Sequence, residues 1–445
     1  MKMFGITSAT LRARFLAGFV LRWRAVALCA CGCFLLSTSA FPQGSLTPPG
    51  APAPTMKTLD QVEARTIVNA VNTPGDATHQ FIITTAGSYY LTGNITGVSG
   101  KHGITINSDN VTLDLNGFAL LGVSNSLSGI LVTDPHRNLR IRNGAIKGWS
   151  FGLNSPGAMN SQFEHLRVSQ NVTGVWCGDG NVLSAVSSEA NTGSNAALRT
   201  SAGCILTTCF AASNNSSDGI ATGAACTITA SSAIANVNGF NTAGGCNIVG
   251  CTASFNSGIG IFPGNACTIK DCTAVQNGTG IDASGQSDLL ITNCSASQNS
   301  GTGIFGGDRS QIIACTANLN GTGVNGSGIS GGIRVTVKDC SASENQKNGI
   351  VVLGDSMVLE NHASHNGLGV AAAGIDSSGG GGSRIEANHV RDNIGRGIFA
   401  SSFDIIARNS AGGNTIANFS PASGANFAPV QTPATATNPL ANIVN

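Results

Sequence analysis

The sequence predicts an all-β protein built as a parallel β-helix, a solenoid of about 14 coils of about 20 to 28 residues that is capped at both ends. Three observations lead to this fold class. A short phrase recurs about every 21 to 22 residues, as at 251–261 (CTASFNSGIGI) and 272–281 (CTAVQNGTGI). Apolar and polar residues alternate within each unit with the period of a strand. Only 10% of the residues are charged, and the 59 glycines are about twice the usual share, as expected for tight turns and uncharged strand faces.

One unit shows how a coil should form. Apolar Cys267, Ile269, Cys272 and Ala274 alternate with polar residues, and a bend is expected at Asp271. An Asn-Gly turn and a third short strand follow. Because a unit this short cannot bury its own apolar face, successive units must stack on each other.

A glycine followed by an apolar residue marks the third strand of each unit, and this apolar residue should point into the core. Stacked at the usual strand spacing, the column predicts a rod of roughly 65 Å. Its members are Ile104, Ile130, Leu153, Val175, Leu198, Ile220, Phe240, Ile261, Ile281, Ile304, Val324, Ile350, Ile375 and Ile398.

Asparagines form a second column, in which stacked side chains can hydrogen-bond their neighbours and tolerate left-handed backbone at a turn. They are Asn171, Asn191, Asn214, Asn236, Asn256, Asn277, Asn299, Asn320, Asn345, Asn366 and Asn393. With this column, residues 103–408 resemble the right-handed parallel β-helix proteins of the pectate-lyase-like superfamily, whose asparagine ladders lie at such a turn. The opening phrase at 87–120 also resembles the start of uncharacterised secreted bacterial β-helix proteins. The resemblance implies a single-stranded, right-handed parallel β-helix.

Three of the 14 cysteines (Cys29, Cys31 and Cys33) lie near the N-terminus, and the remaining 11 are an odd number. Most of these 11 fall in two columns with the inward phase of the alternation, where free cysteine packs as a small apolar side chain. Disulfides between coils are the alternative in an exported protein. Metal ligation would need ligands that converge on a point, whereas these form lines. The columns are Cys204, Cys226, Cys246 and Cys267, and Cys209, Cys251, Cys272, Cys294, Cys315 and Cys340.

The N-terminal composition predicts export. Basic residues precede an apolar run at 25–36 and small residues near Ala40, so residues 1–40 are predicted to be a cleaved signal peptide, with a lipoprotein signal at Cys33 as the alternative. We expect a Pro-rich linker at 41–57, an N-terminal cap at 58–100 with weak helical spacing over 58–71, the β-helix at 101–409 and an irregular C-terminal cover or tail at 410–445. The expected location is secreted, periplasmic or cell-surface, with no membrane span in the mature chain.

A net charge of +1 gives no reason to expect nucleic acid as a partner, and we expect a monomer. Polysaccharide or a cell-envelope component is the expected partner class. The sequence predicts no metal site and no cofactor. Calcium is expected only if the protein is a lyase.

Superposing the first coils places Asp114, Arg142 and Glu164 in one outward column of alternating sign. This column is a surface salt-bridge ladder or an acid/base site for a uronic-acid polymer, with Arg142 holding a carboxylate. Arg140 and His165 lie in the same charge-rich stretch and are further catalytic candidates. Lyases of the superfamily typically use an Arg or Lys base with calcium bound by acidic groups, and the full acidic cluster is not visible here.

Asp134, Pro135 and His136 resemble part of the Asp-Pro-His-acid motif of mannuronan epimerases, in which the His acts as base or acid beside a Tyr. Here Arg137 stands at the fourth position, and the only tyrosines after the signal are a distant pair at 89 and 90. Asp134 and His136 are therefore catalytic candidates, and a turn between coils is the alternative.

The residue after each inward apolar residue should point outward. Aromatic rings beside polar groups on this column suit a sugar-binding face, with Trp176, Arg199, Phe262, Asp282 and Phe305 as the binding candidates. Scattered surface aromatics are the alternative. The column comprises Asn154, Trp176, Arg199, Asn241, Phe262, Asp282, Phe305, Asn325, Asp376 and Phe399.

Three functions remain open at this point, because one fold hosts many activities. The preferred one is an exported β-helix protein that interacts with polysaccharide or cell-envelope material, since no complete catalytic set is visible. The alternatives are a polysaccharide lyase, hydrolase or epimerase that acts on a uronic-acid polymer, and a structural or adhesin-like rod.

Overall fold

The computed structural model of the protein describes residues 63–133, 135–323 and 326–445, all within one compact unit. The predicted signal peptide at 1–40 and the linker at 41–57 lie outside the described residues, as do Asp134, Val324 and Asn325.

The chain winds as a parallel β-helix of 16 coils, each contributing one strand to sheet B. The prediction of about 14 coils missed the first and last, because Phe81 and Phe419 lack the preceding glycine but lie in register with Ile104 and Ile398. The strands of sheet B are His79–Ile83, His102–Ile106, Ser128–Val132, Phe151–Ser155, Thr173–Cys177, Leu198–Thr200, Ile220–Thr222, Phe240–Thr242, Ile259–Phe262, Thr279–Asp282, Ile304–Gly306, Ile329–Gly331, Ile350–Val351, Ile375–Asp376, Arg396–Ala400 and Ala417–Pro421.

Sheet A holds two parallel rows of strands, which merge where Arg140–Lys147 and Gln162–Ser169 run through both. The other strands of the first row are Thr66–Ile67, Gly87–Tyr90, Val111–Asp114, Val182–Ser184, Ile205–Thr207, Thr227–Thr229, Asn247–Val249, Thr268–Lys270, Leu290–Thr292, Gln311–Ile313, Thr336–Lys338, Met357–Leu359, Arg384–Glu386, Ile405–Ala407 and Asn426–Phe427. Those of the second row are Ile95–Thr96, Ala119–Leu121, Ser187–Glu189, Phe210–Ala212, Ser232–Ile234, Thr252–Ser254, Thr273–Val275, Ser295–Ser297, Thr316–Asn318, Ser341–Ser343, His362–Ser364, His389–Arg391, Ser410–Gly412, Val430–Gln431 and Asn442–Val444. A small sheet C pairs His136–Arg137 with Ala158–Met159.

Each coil turns three corners, and a residue with positive φ precedes the inward side chain at most of them. Gln276 has φ 55°, and the next residue, Asn277, donates its backbone N–H to Oδ1 of Asn299 at 2.9 Å. The predicted asparagine ladder is thus confirmed, but the residue before each asparagine, rather than the asparagine, takes the left-handed backbone. Even Phe255 and Leu319 adopt it, since the ladder offsets a cost of roughly 1–2 kcal/mol per residue.

The two cysteine columns form similar ladders at the other two corners. All 11 cysteines of the described chain are free and buried, as the buried-thiol prediction requires, rather than joined in disulfides. The backbone N–H of Cys204 donates to Sγ of Cys226 at 3.3 Å, and that thiol donates to the carbonyl of Ser201 at 3.2 Å. Burial raises the pKa of Cys209 to about 11, so this thiol stays protonated at neutral pH.

The inward apolar column lines the core as predicted, with one exception. In that coil the residue in register with Ile304 and Ile350 is Ile329, and the expected member, Val324, lies outside the described residues. The chain repeats a Gly-x-Gly phrase before both positions, and only pairing with the neighbouring coils selects the second.

At the N-terminal end, the described part of segment 58–71 holds the strand Thr66–Ile67 rather than a helix. At the C-terminal end, strands continue past the predicted boundary at 409. The closing phrase docks on the last coils, because Asn442 accepts the backbone N–H of Asn409 at 3.1 Å. Within the described ranges, no helix is long and apolar enough to cross a membrane.

Candidate functional site: the outer face of sheet B

The outward side chains of sheet B form one continuous row, which we call the B-face row. Strand register confirms the predicted column except at Asn325, whose expected place beside Phe305 is taken by Ser330 because the inward residue of that coil is Ile329. Trp176, Phe262 and Phe305 share this face and are half-buried. The row runs Asn154, Trp176, Arg199, Ala221, Asn241, Phe262, Asp282, Phe305, Ser330, Val351, Asp376 and Phe399.

A groove of about 620 Å³ crosses the first part of the row. The guanidinium of Arg199 lies 4.9 Å from the ring centroid of Trp176, so the two side chains stack at one end of the groove. Asp218 accepts a hydrogen bond at 2.8 Å from each of the side-chain amides of Asn238 and Asn241. The groove therefore presents a cation, an oriented carboxylate and amide groups beside an aromatic ring.

A second groove of about 510 Å³ crosses the row farther along the solenoid. Phe305, Lys347 and Asp376 line it together with several hydroxyl groups. Asp376 accepts from the amide of Asn348 at 3.2 Å and from the hydroxyl of Ser378 at 2.6 Å. Like the first groove, it offers one cation and one carboxylate held by neighbours; here the ring lines the groove, whereas Trp176 contacts only the cation of the first.

Phe262 and Asp282 separate the two grooves on the B-face row. Asp282 accepts the backbone N–H of Ser284 at 2.9 Å, which fixes its carboxylate beside the ring of Phe305 in the next coil. In the coil before Trp176, the amide oxygen of Asn154 is buried and has no hydrogen-bond partner among the described residues. From Asn241 to Ser330 the row therefore alternates rings with oxygen acceptors.

The predicted catalytic column lies on a different face, the outside of sheet A. Asp114 and Glu164 flank Arg142 in register, as expected from the sequence. The side chain of Asp114 is 7% exposed; its carboxylate contacts Arg142 at 3.0 Å and accepts from Asn143 at 3.2 Å. Glu164 pairs with Arg140 at 2.8 Å instead of with Arg142. Each of these four charges therefore has a partner of opposite sign, and Asp114 also lies 3.7 Å from Arg65.

His165 occupies a corner of sheet A, with φ 51°, and lines a shallow cleft of about 320 Å³ with Arg167. His136 lies in sheet C, before the corner at Asn138, and binds Asp109 at 2.9 Å through Nδ1. Donation from the backbone N–H of Arg137, and from His136, lowers the pKa of Asp109. The structure thus separates His136 from the Arg140–Arg142 strand by a corner.

The groove residues Asp218, Asn348 and Lys347 were missed by sequence reasoning. They stand just before the glycine that precedes the inward residue, at the turn where the chain enters sheet B. The only sequence signal was their position in the turn directly before the strand that carries the outward row, and this position does not show which way a side chain points. Among the described residues, no three His, Cys, Asp or Glu side chains are arranged to hold a metal ion.

Comparison with known proteins identifies the repeat. Residues 234–367 match the family described as right handed beta helix region. No curated protein sequence matches the chain significantly.

Several solved structures are similar to the chain at low identity. The A-module of mannuronan C-5 epimerase AlgE4 from Azotobacter vinelandii has a TM-score of 0.37 and 14% identity, covering 76% of this chain and 90% of that one. The periplasmic alginate epimerase AlgG has a TM-score of 0.34 and 12% identity, covering 77% and 76%. The catalytic unit of an α-1,3-glucanase from Streptomyces thermodiastaticus has a TM-score of 0.30 and 12% identity, covering 83% and 62%. At these TM-scores the activities of those proteins carry no argument for this chain; the family match and the stacked coils together show a right-handed parallel β-helix.

Proposed function

We propose that the protein binds an extended polysaccharide along the outer face of sheet B, outside the cytoplasm and without cleaving it. The observation that carries the proposal is the B-face row, in which Trp176, Phe262, Phe305 and Phe399 share one face with polar side chains between them. The predicted signal peptide supports export.

The aromatic rings give the row its affinity for sugars. The apolar C–H face of a pyranose can pack on a half-buried ring and remove its surface from water, at roughly 25 cal/mol per Å² of apolar area. Because the rings already lie in strands held on both sides by parallel pairing, little conformational freedom is lost on binding. A flexible surface of the same composition would bind less tightly.

The oriented polar groups give the row its specificity. In both grooves a carboxylate is held by neighbouring amide or hydroxyl donors, and its remaining lone pairs can accept sugar hydroxyls. Charge-assisted hydrogen bonds of this kind are stronger than neutral ones. The grooves therefore combine ring stacking with fixed acceptors, which is the arrangement that a hydroxyl-rich ligand needs.

The lyase, hydrolase or epimerase alternative depends on the outside of sheet A. Its charged candidates there, Asp114 with Arg142 and Arg140 with Glu164, are bound to each other. A general base must reach the proton that it removes, and these groups would first have to exchange partners. The alternative is tested by assaying unsaturated uronate and reducing-end release from a polysaccharide panel, with and without calcium; product formation would replace the binding proposal with an enzymatic one.

The binding proposal is tested with Phe305→Ala and its matched control Phe210→Ala. Phe210 is also a half-buried outward phenylalanine, but on sheet A. We expect the affinity for a bound polysaccharide to fall by about 10-fold or more in Phe305→Ala, as the loss of one buried aromatic contact implies, and to stay unchanged in Phe210→Ala. Affinity electrophoresis and a glycan array measure both. Equal affinities in the two variants, or a silent array, would contradict the proposal.

A further inference from the structure

We propose that the B-face row binds one acidic heteropolysaccharide chain at two points, with acidic groups of the chain on Arg199 in the first groove and on Lys347 in the second. This inference rests on the proposed function and adds the ligand class: a chain whose acidic sugars are separated by neutral ones. It is carried by the placement of charges along the row.

Arg199 and Lys347 are the cations of the two grooves, and both are exposed. On the outside of sheet A, several cations lie in ion pairs, as Arg140 does with Glu164 at 2.8 Å. Within the described residues, neither Arg199 nor Lys347 has a carboxylate partner within ion-pair distance. Their charge therefore remains available to an acidic group of a ligand.

The carboxylates beside these cations are already engaged. Asp218 is held by two asparagine amides, and Asp376 by Asn348 and Ser378. An acidic group of the ligand therefore gains most at the cation itself, where it can form a charge-assisted hydrogen bond. The stacking of Arg199 on Trp176 orients its guanidinium plane, which suits a planar carboxylate approaching from the groove.

The two cations stand seven coils apart in sheet B, roughly 34 Å at the usual strand spacing. Once a single extended chain is bound at one cation, its second acidic group is held near the other cation at a high effective concentration, so the two contacts together bind more tightly than either alone. Such a chain must run along the solenoid axis, because the row does.

Asp282 lies between the two cations and limits how closely spaced the acidic groups of a bound polymer can be. A polymer with a carboxylate on every sugar would place one of them against this fixed carboxylate, which is unfavourable. A neutral polymer would leave both cations without a partner. Acidic groups spaced along an otherwise neutral chain fit the whole row.

The test measures dissociation constants for gellan fragments, in which uronates are separated by neutral sugars, against polygalacturonate fragments, sparsely sulfated dextran and neutral dextran. We expect gellan fragments longer than about 34 Å to bind at least 10-fold more tightly than polygalacturonate or neutral dextran. Sparsely sulfated dextran distinguishes sulfate from carboxylate as the acidic group. Tighter binding of polygalacturonate than of gellan and sulfated dextran would overturn the proposal.

Variants then locate the two contacts. Arg199→Gln and Lys347→Gln should each weaken the binding of long gellan fragments at least 10-fold. A fragment shorter than about 34 Å occupies one groove at a time, so its affinity should fall only in the variant that changes that groove. Lys147→Gln, which removes an exposed lysine of sheet A, is the matched control and should leave the affinity unchanged.

If gellan and neutral dextran bind with equal affinity and Phe305→Ala abolishes the binding of both, the proposed polysaccharide-binding face is supported and the two-cation proposal is wrong. If no polymer binds at all, both fall.

Discussion

The outer faces of sheets A and B differ in how their charges are arranged. On sheet A several charged groups face a partner in the neighbouring coil, as Arg142 faces Asp114 and Arg140 faces Glu164. On sheet B, Arg199 and Lys347 face grooves, and the carboxylates are held by uncharged amides and hydroxyls. A partly buried charge that is paired within the protein contributes to stability, whereas an exposed charge without a partner is available to a ligand. The comparison therefore assigns stability to one face, and the binding proposal assigns recognition to the other.

The largest effect on stability is expected from Asp114→Ala on sheet A. This substitution leaves Arg142 without its carboxylate and removes a buried acceptor from Asn143, which should cost about 2 to 3 kcal/mol. Asp282→Ala on sheet B, the matched control, should cost less than about 1 kcal/mol. Urea unfolding followed by circular dichroism compares the two. Equal losses would mean that the faces do not differ in this way.

A moderate and pH-dependent effect is expected at the stacked pair His362 and His389, whose ring centroids are 5.2 Å apart on sheet A. Burial, and next the neighbouring His389, lowers the pKa of His362. As the pH falls below about 6.5, His362 takes up a proton more readily in the unfolded chain than in the folded one. The contribution of neutral His362 to the free energy of unfolding is therefore fully present above that pH and is lost progressively below it.

Melting temperatures at pH 7.5 and pH 5 measure this effect. His362→Gln should show a smaller decrease between the two values than the unchanged protein, whereas His165→Gln, an exposed histidine at a corner of sheet A, should keep the full decrease. An identical decrease in all three proteins would exclude the His362 contribution.

The smallest effect is expected from Arg309→Gln, which breaks the ion pair with Asp288 on the turn that leads into sheet A. Both side chains are about half exposed, so solvent screens their attraction. We expect a change in melting temperature too small to resolve, at low salt and in 1 M NaCl alike. A clear destabilisation at low salt would show that even exposed pairs on this face contribute, and would enlarge the difference between the faces.

The sequence was sufficient to predict the fold and the B-face row, because strand alternation fixes which side chains point outward. It failed at Ile329, where two similar phrases compete and only pairing across coils decides. It also missed Asp218 and Lys347, since a turn between strands has no alternation that would reveal which way its side chains point. The roles proposed for Asp114 and Arg142 depended on partners in other coils, and sequence spacing alone could not exclude that they bind each other.

The ladders at the three corners have a consequence for the evolution of this protein. Over much of the solenoid, a ladder residue accepts a backbone N–H from one neighbouring coil and donates its own N–H to the other, as both Asn277 and Cys226 do. Gene duplication or deletion of one whole coil therefore leaves no orphaned donor inside the solenoid. Chain length can vary by whole coils without loss of the fold, and with it the distance between the two grooves and the size of ligand that the protein can span.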